Sequence, residues 1–158
     1  MLIRQAVLQD IDEILKLTNL VADKHGQFRA DILFEHPYHI TKEKLDRNIL
    51  ANNHFVLVAD ENETIVGVVL CTIRSILNDV KFKDTNIMSI EDTCVDSNFR
   101  AMNVGSMLID AAKRVAREHD CSRLETNVWS FNDESILFFQ ANGFSAQRII
   151  MECFLDEQ

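Results

Sequence analysis

Residues 91–116 constrain the fold more than any other part of the chain, because they predict a strand, a polar loop and a helix in direct succession. The strand is the apolar run over residues 87–95, and the helix is indicated by apolar residues three and four positions apart: Leu108, Ala111, Ala112 and Val115. A strand that leads directly into a helix leaves unpaired N–H groups at the helix start. These groups and the helix dipole attract anions.

Two residues strengthen this anion site. Gly105 lets the backbone approach a ligand closely, and Arg100 can add a charge-assisted hydrogen bond. A strand, a loop and a helix in this order also occur as a plain connection in many α/β proteins. The segment by itself therefore leaves two alternatives open, a phosphate or pyrophosphate site and an ordinary turn.

Length and composition indicate one globular domain over residues 1–158, since a chain of this length can bury a sizeable core. The net charge of −9 argues against a general nucleic-acid binder. We expect no membrane segment, because no apolar run reaches the roughly 18 residues of a spanning helix. The first residues lack a signal-peptide layout, and the four cysteines lack a C-x-x-C pair, so we expect a cytoplasmic protein with free thiols. His25, His36 and His39 lack zinc-ligand spacing, and no metal site is expected.

The remaining chain predicts the element order β-α-α-β-β-β-α-β-α-β, which is an α/β fold with a mixed sheet and helices on its faces. A capping box of Asp10 and Glu13 would begin the first helix, and Thr41 would cap the second, which carries Leu45, Ile49 and Leu50. Residues 25–40 are predicted as a long loop. The predicted strands are residues 2–6, 55–59, 64–71, 87–95, 124–129 and 147–155, with a four-residue turn at 60–63.

Two motifs resemble those of the GNAT N-acetyltransferase superfamily. Residues 95–109, V-D-S-N-F-R-A-M-N-V-G-S-M-L-I, resemble its acetyl-CoA signature, V-D-x-x-x-R/Q-x-x-G-x-G/A. Residues 124–144, L-E-T-N-V-W-S-F-N-D-E-S-I-L-F-F-Q-A-N-G-F, resemble its second cofactor segment, N-x-x-A-x-x-x-Y-x-x-x-G-F. The resemblance implies the GNAT-like acyl-CoA N-acyltransferase fold, acetyl-CoA (coenzyme A) as cofactor, and acetyl transfer to an amine. It also leaves a homodimer open, since many relatives dimerise.

The resemblance further implies which residues hold the cofactor. Backbone groups of Thr93, Cys94 and Val95 would pair with the pantetheine arm as with an added strand. Asn132 would touch the cofactor arm, or would simply cap its helix. The pyrophosphate would lie at the helix start, near Arg100 and the N–H groups of Ala101, Met102, Asn103, Val104, Gly105 and Ser106.

The chain departs from the family motifs at two positions. Asn103 replaces the first glycine of the signature, and asparagine tolerates the left-handed backbone better than other non-glycine residues. Phe139 occupies the position where many relatives carry a tyrosine that protonates the leaving thiolate of coenzyme A. Phenylalanine has no proton to donate, so water would have to protonate the thiolate.

The implied chemistry is direct attack of a neutral amine on the thioester. Because an alkyl amine has a pKa of about 10, it arrives protonated and needs a base. We predict Glu91 as that base, on the same strand face as Ser89 and Thr93 and opposite to Asp92; the alternative is an ordinary buried or capping carboxylate. The N–H of Val95 would stabilise the oxyanion.

Two further residues are candidates for acceptor contacts. Asn127 matches a position where some relatives have a catalytic glutamate, and its amide would orient the substrate or a water molecule. Trp129 would form a wall of the acceptor pocket or belong to the core.

Two functions remain open. One is acetyl transfer to a primary amine of a small molecule or of an exposed protein amine. The other is a catalytically degenerate relative that binds acyl-CoA or a regulatory partner; Asn103 and Phe139 keep this alternative open. A dinucleotide or P-loop protein is disfavoured, because neither glycine motif is present.

Overall fold

The fold is described from a computed structural model that covers residues 1–34 and 40–155. The side chains of residues 20–27 and of Ala101 are outside this description. The chain divides into two units, residues 1–127 and residues 128–158. The two units are described one at a time below.

A mixed sheet organises the first unit. In the described residues it has five strands in the spatial order of the sequence. Each of the first three neighbouring pairs is antiparallel, whereas the fourth and fifth strands run parallel to each other. The strands are β1 (Leu2–Gln5), β2 (His54–Glu61), β3 (Thr64–Ile76), β4 (Thr85–Val95) and β5 (Cys121–Thr126).

Over the ranges that the structure describes, three α-helices accompany this sheet, and a fourth lies in the second unit. They are α1 (Ile11–Phe28), α2 (Lys42–Leu50), α3 (Val104–Glu118) and α4 (Asp133–Ala141). The parallel pair of β4 and β5 needs a crossover connection, and α3 provides it. The mixed α/β fold predicted from the sequence is confirmed. None of the helices in the described part of the chain is long and apolar enough to cross a membrane.

The predicted hairpin forms with a shorter turn than expected. The strands β2 and β3 extend to Glu61 and Thr64, so the turn has two central residues rather than four. These are Asn62 and Glu63, with φ of 53° and 65°. A two-residue turn with two positive φ angles matches the right-handed twist of a hairpin. The Asp60 carboxylate accepts a hydrogen bond from the Glu63 N–H (2.9 Å), which holds the turn in place.

Apolar side chains of α1, α2 and the sheet form one buried cluster. Ile14, Leu45 and Val58 are fully buried there, and Thr41 caps α2 as predicted by accepting from the Lys44 N–H (3.3 Å). Leu50 belongs to α2 as predicted and ends it, with its side chain exposed.

Helix α1 also differs from the sequence prediction. Residues 25–28 belong to the helix rather than to a loop, while His36, Pro37, Tyr38 and His39 lie outside the described residues. The capping box is not formed, because Glu13 accepts a hydrogen bond from the Ile65 N–H (2.8 Å).

Asp10 instead joins three parts of the first unit. Its carboxylate accepts from the Val7 N–H (2.8 Å) and from two nitrogens of Arg4 (2.7 and 3.0 Å). Arg4 in turn donates to Asp60 through Nε (3.0 Å). These bonds connect β1, the start of α1 and the end of β2.

Helix α4 ends as predicted, but the strand expected after it is wrong. Gly143 has φ 85°, its N–H donates to the Gln140 carbonyl (2.9 Å), and the Phe144 N–H donates to the Phe139 carbonyl (3.0 Å). This is the Schellman arrangement of a helix end. Residues 144–155 then contain no strand in the described structure. The run has suitable side chains, but a strand is stabilised by pairing with a neighbour.

The Asp10 contacts predict a pH-dependent contribution to stability. The Arg4 guanidinium, with the Val7 N–H, holds the pKa of the buried Asp10 carboxyl below its usual value. This stabilisation is therefore present above the unfolded-state pKa of about 3.9 and is lost as the pH falls through the lower folded-state pKa. We expect Asp10→Asn to lower the free energy of unfolding at pH 7 by about 2 kcal/mol, measured by urea unfolding.

Asp12→Asn is the matched control, because Asp12, near the start of α1, forms an exposed ion pair with Lys42 of α2. It should change stability little. Equal stability of the Asp10→Asn variant and the parent at pH 7 would contradict the assigned role.

A second prediction concerns Gly67, against which α3 packs. A Cβ at this position would lie 3.0 Å from Val104 Cγ1, 3.1 Å from Leu108 Cδ1 and 3.3 Å from the Cys94 carbonyl oxygen. We expect Gly67→Ala to destabilise the protein by about 1–3 kcal/mol in thermal unfolding, since these neighbours are buried. In a Val104→Ala background the penalty should shrink, because the closest methyl group is gone. An unchanged penalty would show that the Val104 side chain is not the obstacle.

Candidate active site

The open edge of β4 is the first element of the candidate site. Pairing with β5 ends at Ile90 and Thr126, but β4 continues to Val95. Within the described residues, no strand pairs with that edge of residues 91–95. Backbone groups on this edge are therefore available to a ligand with its own donors and acceptors.

The direction of the backbone groups follows from the ladder with β3. The Asp96 N–H donates to the Val66 carbonyl (2.9 Å), so it faces β3. Because directions alternate along an antiparallel strand, Cys94 also directs its groups to β3, whereas Thr93 and Val95 face the open edge. The Thr93 N–H donates to Asp92 Oδ1 (2.9 Å). Of the three residues predicted to pair with a cofactor arm, Thr93 and Val95 thus have the suitable direction.

A β-bulge in β4 places two carboxylates on one face of the sheet. Leu70 pairs with Asp92 and Cys71 pairs with Ile90, so Glu91 is an additional residue between them. The sequence predicts Asp92 on the face opposite to Glu91, because side chains alternate along a regular strand. That prediction is wrong, since the bulge interrupts the alternation. The Asp92 Oδ1 accepts from the Cys94 thiol (3.5 Å), and Cys94 belongs to the same buried cluster as Leu70.

Glu91 is exposed and has defined hydrogen-bond partners. Its Oε1 accepts from the Thr72 hydroxyl (2.6 Å), and Thr72 Oγ1 lies 2.9 Å from His54 Nδ1. The three side chains come from β4, β3 and β2. Sequence reasoning identified Glu91 but missed Thr72 and His54, because no local motif marks them and strand register alone brings them together.

The start of α3 has the geometry expected for the signature loop. A 3-10 turn over Ser97–Met102 is capped by Asp96, whose Oδ1 accepts from the Asn98 N–H (2.8 Å). Asn103 then adopts the left-handed conformation, with φ 58° and ψ 19°, immediately before the first residue of α3. Asparagine adopts this conformation more readily than other non-glycine residues, so it suits the position of the signature glycine.

Arg100 and Met102 are exposed in this turn, and the first helical residues are Val104, Gly105 and Ser106. Val104 is fully buried and anchors the helix start against the sheet, next to Gly67. The backbone of the predicted pyrophosphate loop is thereby positioned by packing. Its ligand remains a prediction.

The two buried thiols near the open edge are poor nucleophiles. Burial, with a smaller effect of the Glu91 charge, raises the pKa of Cys71 to about 12. Burial also raises the pKa of Cys94, and Asp92 adds to this effect. Since the thiolate is the reactive form, neither cysteine favours an acyl-enzyme route.

The predicted acceptor strand is shorter than expected at its end. Strand β5 ends at Thr126, so exposed Asn127 follows the strand rather than belonging to it. Glu125, within the strand, accepts from Arg74 (2.9 Å) and from Arg123 (2.7 Å). Two arginines thus engage this carboxylate.

The second unit contains three of the predicted site residues. The Asn132 side chain accepts from the Ser135 N–H (3.1 Å), which is the capping alternative considered for it. Trp129 stacks on Phe131, with ring centroids 5.8 Å apart. Phe139 is buried against Phe138 and Phe144, with ring centroids 5.1 Å apart in each pair. The binding roles of these residues stay predictions.

The solved structures that share this fold include the following three. A point variant of protein BH1408 from Bacillus halodurans is 26% identical, with a TM-score of 0.93 over 98% of this chain and 99% of that chain. A transcriptional regulator from Bacillus halodurans C-125 is 20% identical, with a TM-score of 0.76 over 98% and 99%. An aminoglycoside antibiotic 6'-N-acetyltransferase from Acinetobacter haemolyticus is 15% identical, with a TM-score of 0.70 over all of both chains.

A sequence comparison with family models gives the assignment. The model described as the acetyltransferase (GNAT) family matches residues 12–144, which include α1, the sheet from β2 onward and the whole signature segment. The match therefore covers most of the chain and both motifs on which the resemblance was based. The chain belongs to the acetyltransferase (GNAT) family.

Proposed function

We propose that the protein transfers an acetyl group from acetyl-CoA to a primary amine of a small molecule or to an exposed protein amine. The proposal is carried by one observation. The exposed Glu91 carboxylate lies at the point where β4 separates from β5, beside an edge to which Thr93 and Val95 direct their backbone groups. A base next to backbone groups on an open strand edge suits attack on a carbonyl group.

The residues present fit acetyl-CoA. The open edge of β4 suits the amide groups of a pantetheine arm, although the Thr93 N–H would exchange its bond with Asp92 for one with the ligand. The left-handed Asn103 and the start of α3, flanked by exposed Arg100, suit a pyrophosphate. Acetyl-CoA supplies an acetyl group bound to sulfur, and the thiolate of coenzyme A is a good leaving group.

The residues of this chain then have distinct roles. Glu91 takes a proton from the ammonium group, so that the nitrogen lone pair forms the bond to the carbonyl carbon. The Val95 N–H donates to the carbonyl oxygen as negative charge develops there. The carbon–sulfur bond would then break, and the nitrogen would lose its second proton to water. Water would also protonate the thiolate, since Phe139 has no hydroxyl group. The products are an N-substituted acetamide and free coenzyme A.

The acceptor is proposed to be a cationic amine. The net charge of −9 raises the local concentration of cations around the protein. The fold relative from Acinetobacter haemolyticus is an aminoglycoside acetyltransferase. Asn127 and Trp129 are the proposed acceptor contacts; the first offers an amide and the second an aromatic face.

The alternative is a degenerate relative that binds acyl-CoA without turnover. Phe139 favours it, because this buried ring stands where relatives carry a proton donor. The first experiment below separates the two functions.

We expect acetyl-CoA-dependent release of free thiol when the protein is mixed with a panel of small polyamines and aminoglycosides. Glu91→Gln should lower kcat/KM for the amine by about 100-fold, because the amide cannot accept the proton. It should leave the Kd for acetyl-CoA, measured by calorimetry, nearly unchanged. Glu118→Gln, at the exposed end of α3, is the control.

Acetyl-CoA binding without thiol release for any amine would favour the degenerate alternative. No binding at millimolar concentration would overturn the proposal altogether.

A separate prediction concerns the loop. Asn103→Gly should fold at least as stably as the parent and bind acetyl-CoA with equal or lower Kd, since glycine adopts the left-handed backbone freely. Asn103→Val should cost about 1–2 kcal/mol in thermal unfolding and raise the Kd by about tenfold, because a β-branched residue disfavours this conformation. Calorimetric titration of both variants checks this expectation. Equal Kd values for glycine and valine would exclude a role of the turn in binding.

A further inference from the structure

We propose that Thr72 and His54 are positioning residues that orient the Glu91 carboxylate for proton transfer. This inference rests on the proposed function of Glu91. It adds two residues that lie outside both sequence motifs. They lie on β3 and β2, one and two strands away from Glu91.

The three side chains form one row across the sheet. His54 pairs with Thr72 between β2 and β3, and Thr72 pairs with Ser89 between β3 and β4. Glu91 follows Ser89 by two residues, so its carboxylate reaches back to Thr72 diagonally. The contacts are 2.6 Å from Thr72 Oγ1 to Glu91 Oε1 and 2.9 Å from Thr72 Oγ1 to His54 Nδ1.

The number of protons that the three side chains can donate determines which group donates in each hydrogen bond. A threonine hydroxyl has one proton to donate, and an ionised carboxylate can only accept. When Glu91 is ionised, Thr72 therefore donates to it, and His54 must donate to Thr72 through Nδ1–H. The hydrogen bonds thus assign the Nδ1–H tautomer to neutral His54.

This arrangement has a consequence for the reaction. An exposed glutamate samples several rotamers, and proton transfer requires the one that meets the amine. The Thr72 hydroxyl holds Oε1, at a distance typical of a charge-assisted bond, and leaves Oε2 to accept the proton. His54 in turn holds the hydroxyl with its proton directed toward Glu91.

The kinetic test compares variants of Thr72 with the hydroxyl removed or retained. Thr72→Val has nearly the same shape without the hydroxyl, and it should lower kcat/KM for the amine by about tenfold. Thr72→Ser retains the hydroxyl and should stay within about twofold of the parent. The Kd for acetyl-CoA should not change in either variant.

The Glu91→Gln background distinguishes positioning from a general structural effect. If Thr72 acts through Glu91, the tenfold loss from Thr72→Val should vanish in that background, because the group it orients no longer takes a proton. A loss of the same size in both backgrounds would overturn the inference.

His54 is tested with a second pair of variants. His54→Asn can retain a donor close to the position of Nδ1 and should keep most of the activity, whereas His54→Leu should approach the loss of Thr72→Val. Thr85→Val is the matched control on β4, because its hydroxyl also bonds across strands, to Ser122 (2.7 Å), but not to Glu91. It should leave kcat/KM unchanged.

A measurement without turnover checks the hydrogen-bond row itself. At pH of about 8.5, where an ordinary histidine is neutral, the ¹⁵N spectrum should show His54 as the Nδ1–H tautomer. Thr72→Val should shift the tautomer equilibrium of His54 toward the Nε2–H form, since Nδ1–H loses its acceptor. The His54 signals are assigned as those that are missing from the spectrum of His54→Asn. An Nε2–H tautomer in the parent would overturn the inference.

These outcomes separate the two proposals. Loss of activity in Glu91→Gln but not in Thr72→Val would reject the positioning role and leave the proposed function intact. Absence of turnover in the parent with every amine would reject the proposed function, and the positioning role for that reaction with it.

Discussion

The hydrogen-bond pairing of β4 is the constraint on which the candidate site depends. Along its whole length this strand pairs with β3, but its parallel partner β5 accompanies it only as far as Ile90. Beyond that point the strand keeps its extended geometry because one edge is hydrogen-bonded to β3. The backbone donors and acceptors of the other edge have no partner strand in the described residues. Backbone groups on an open strand edge need a ligand, water or a side chain as partner. This geometry is the physical basis for proposing a cofactor with amide groups.

The bulge in the same strand adds the chemistry to this edge. One additional residue between two ladder pairs shifts the phase of the side chains, so Glu91 and Asp92 lie on the same face and have different partners. Asp92 accepts from the Thr93 N–H and the Cys94 thiol, whereas Glu91 remains exposed and accepts from Thr72. The two neighbouring carboxylates therefore differ in environment, and the exposed one is suited to receive a proton from a substrate.

The position of α3 depends on small residues and on one unusual backbone conformation. Gly67 lets Val104 and Leu108 approach the sheet, and the left-handed Asn103 turns the chain into the helix. Glycine suits position 67 because a side chain there would collide with α3. Asparagine suits position 103 because it tolerates a positive φ. Both features lie outside the proton-transfer chemistry, yet they determine where the first N–H groups of the helix are presented.

The sequence by itself determined the order of the elements as far as α4, the buried stripe of α3, the α2 cap at Thr41 and the left-handed tendency of Asn103. Each of these follows from residues close together in the chain, whose periodicity or backbone preference is a local property. Only the tertiary structure decided the bulge at Glu91, the row of Glu91, Thr72 and His54, and the absence of a strand over residues 144–155. Those features depend on the register between distant strands, and on whether a partner strand is present, and neither is encoded in local side-chain patterns.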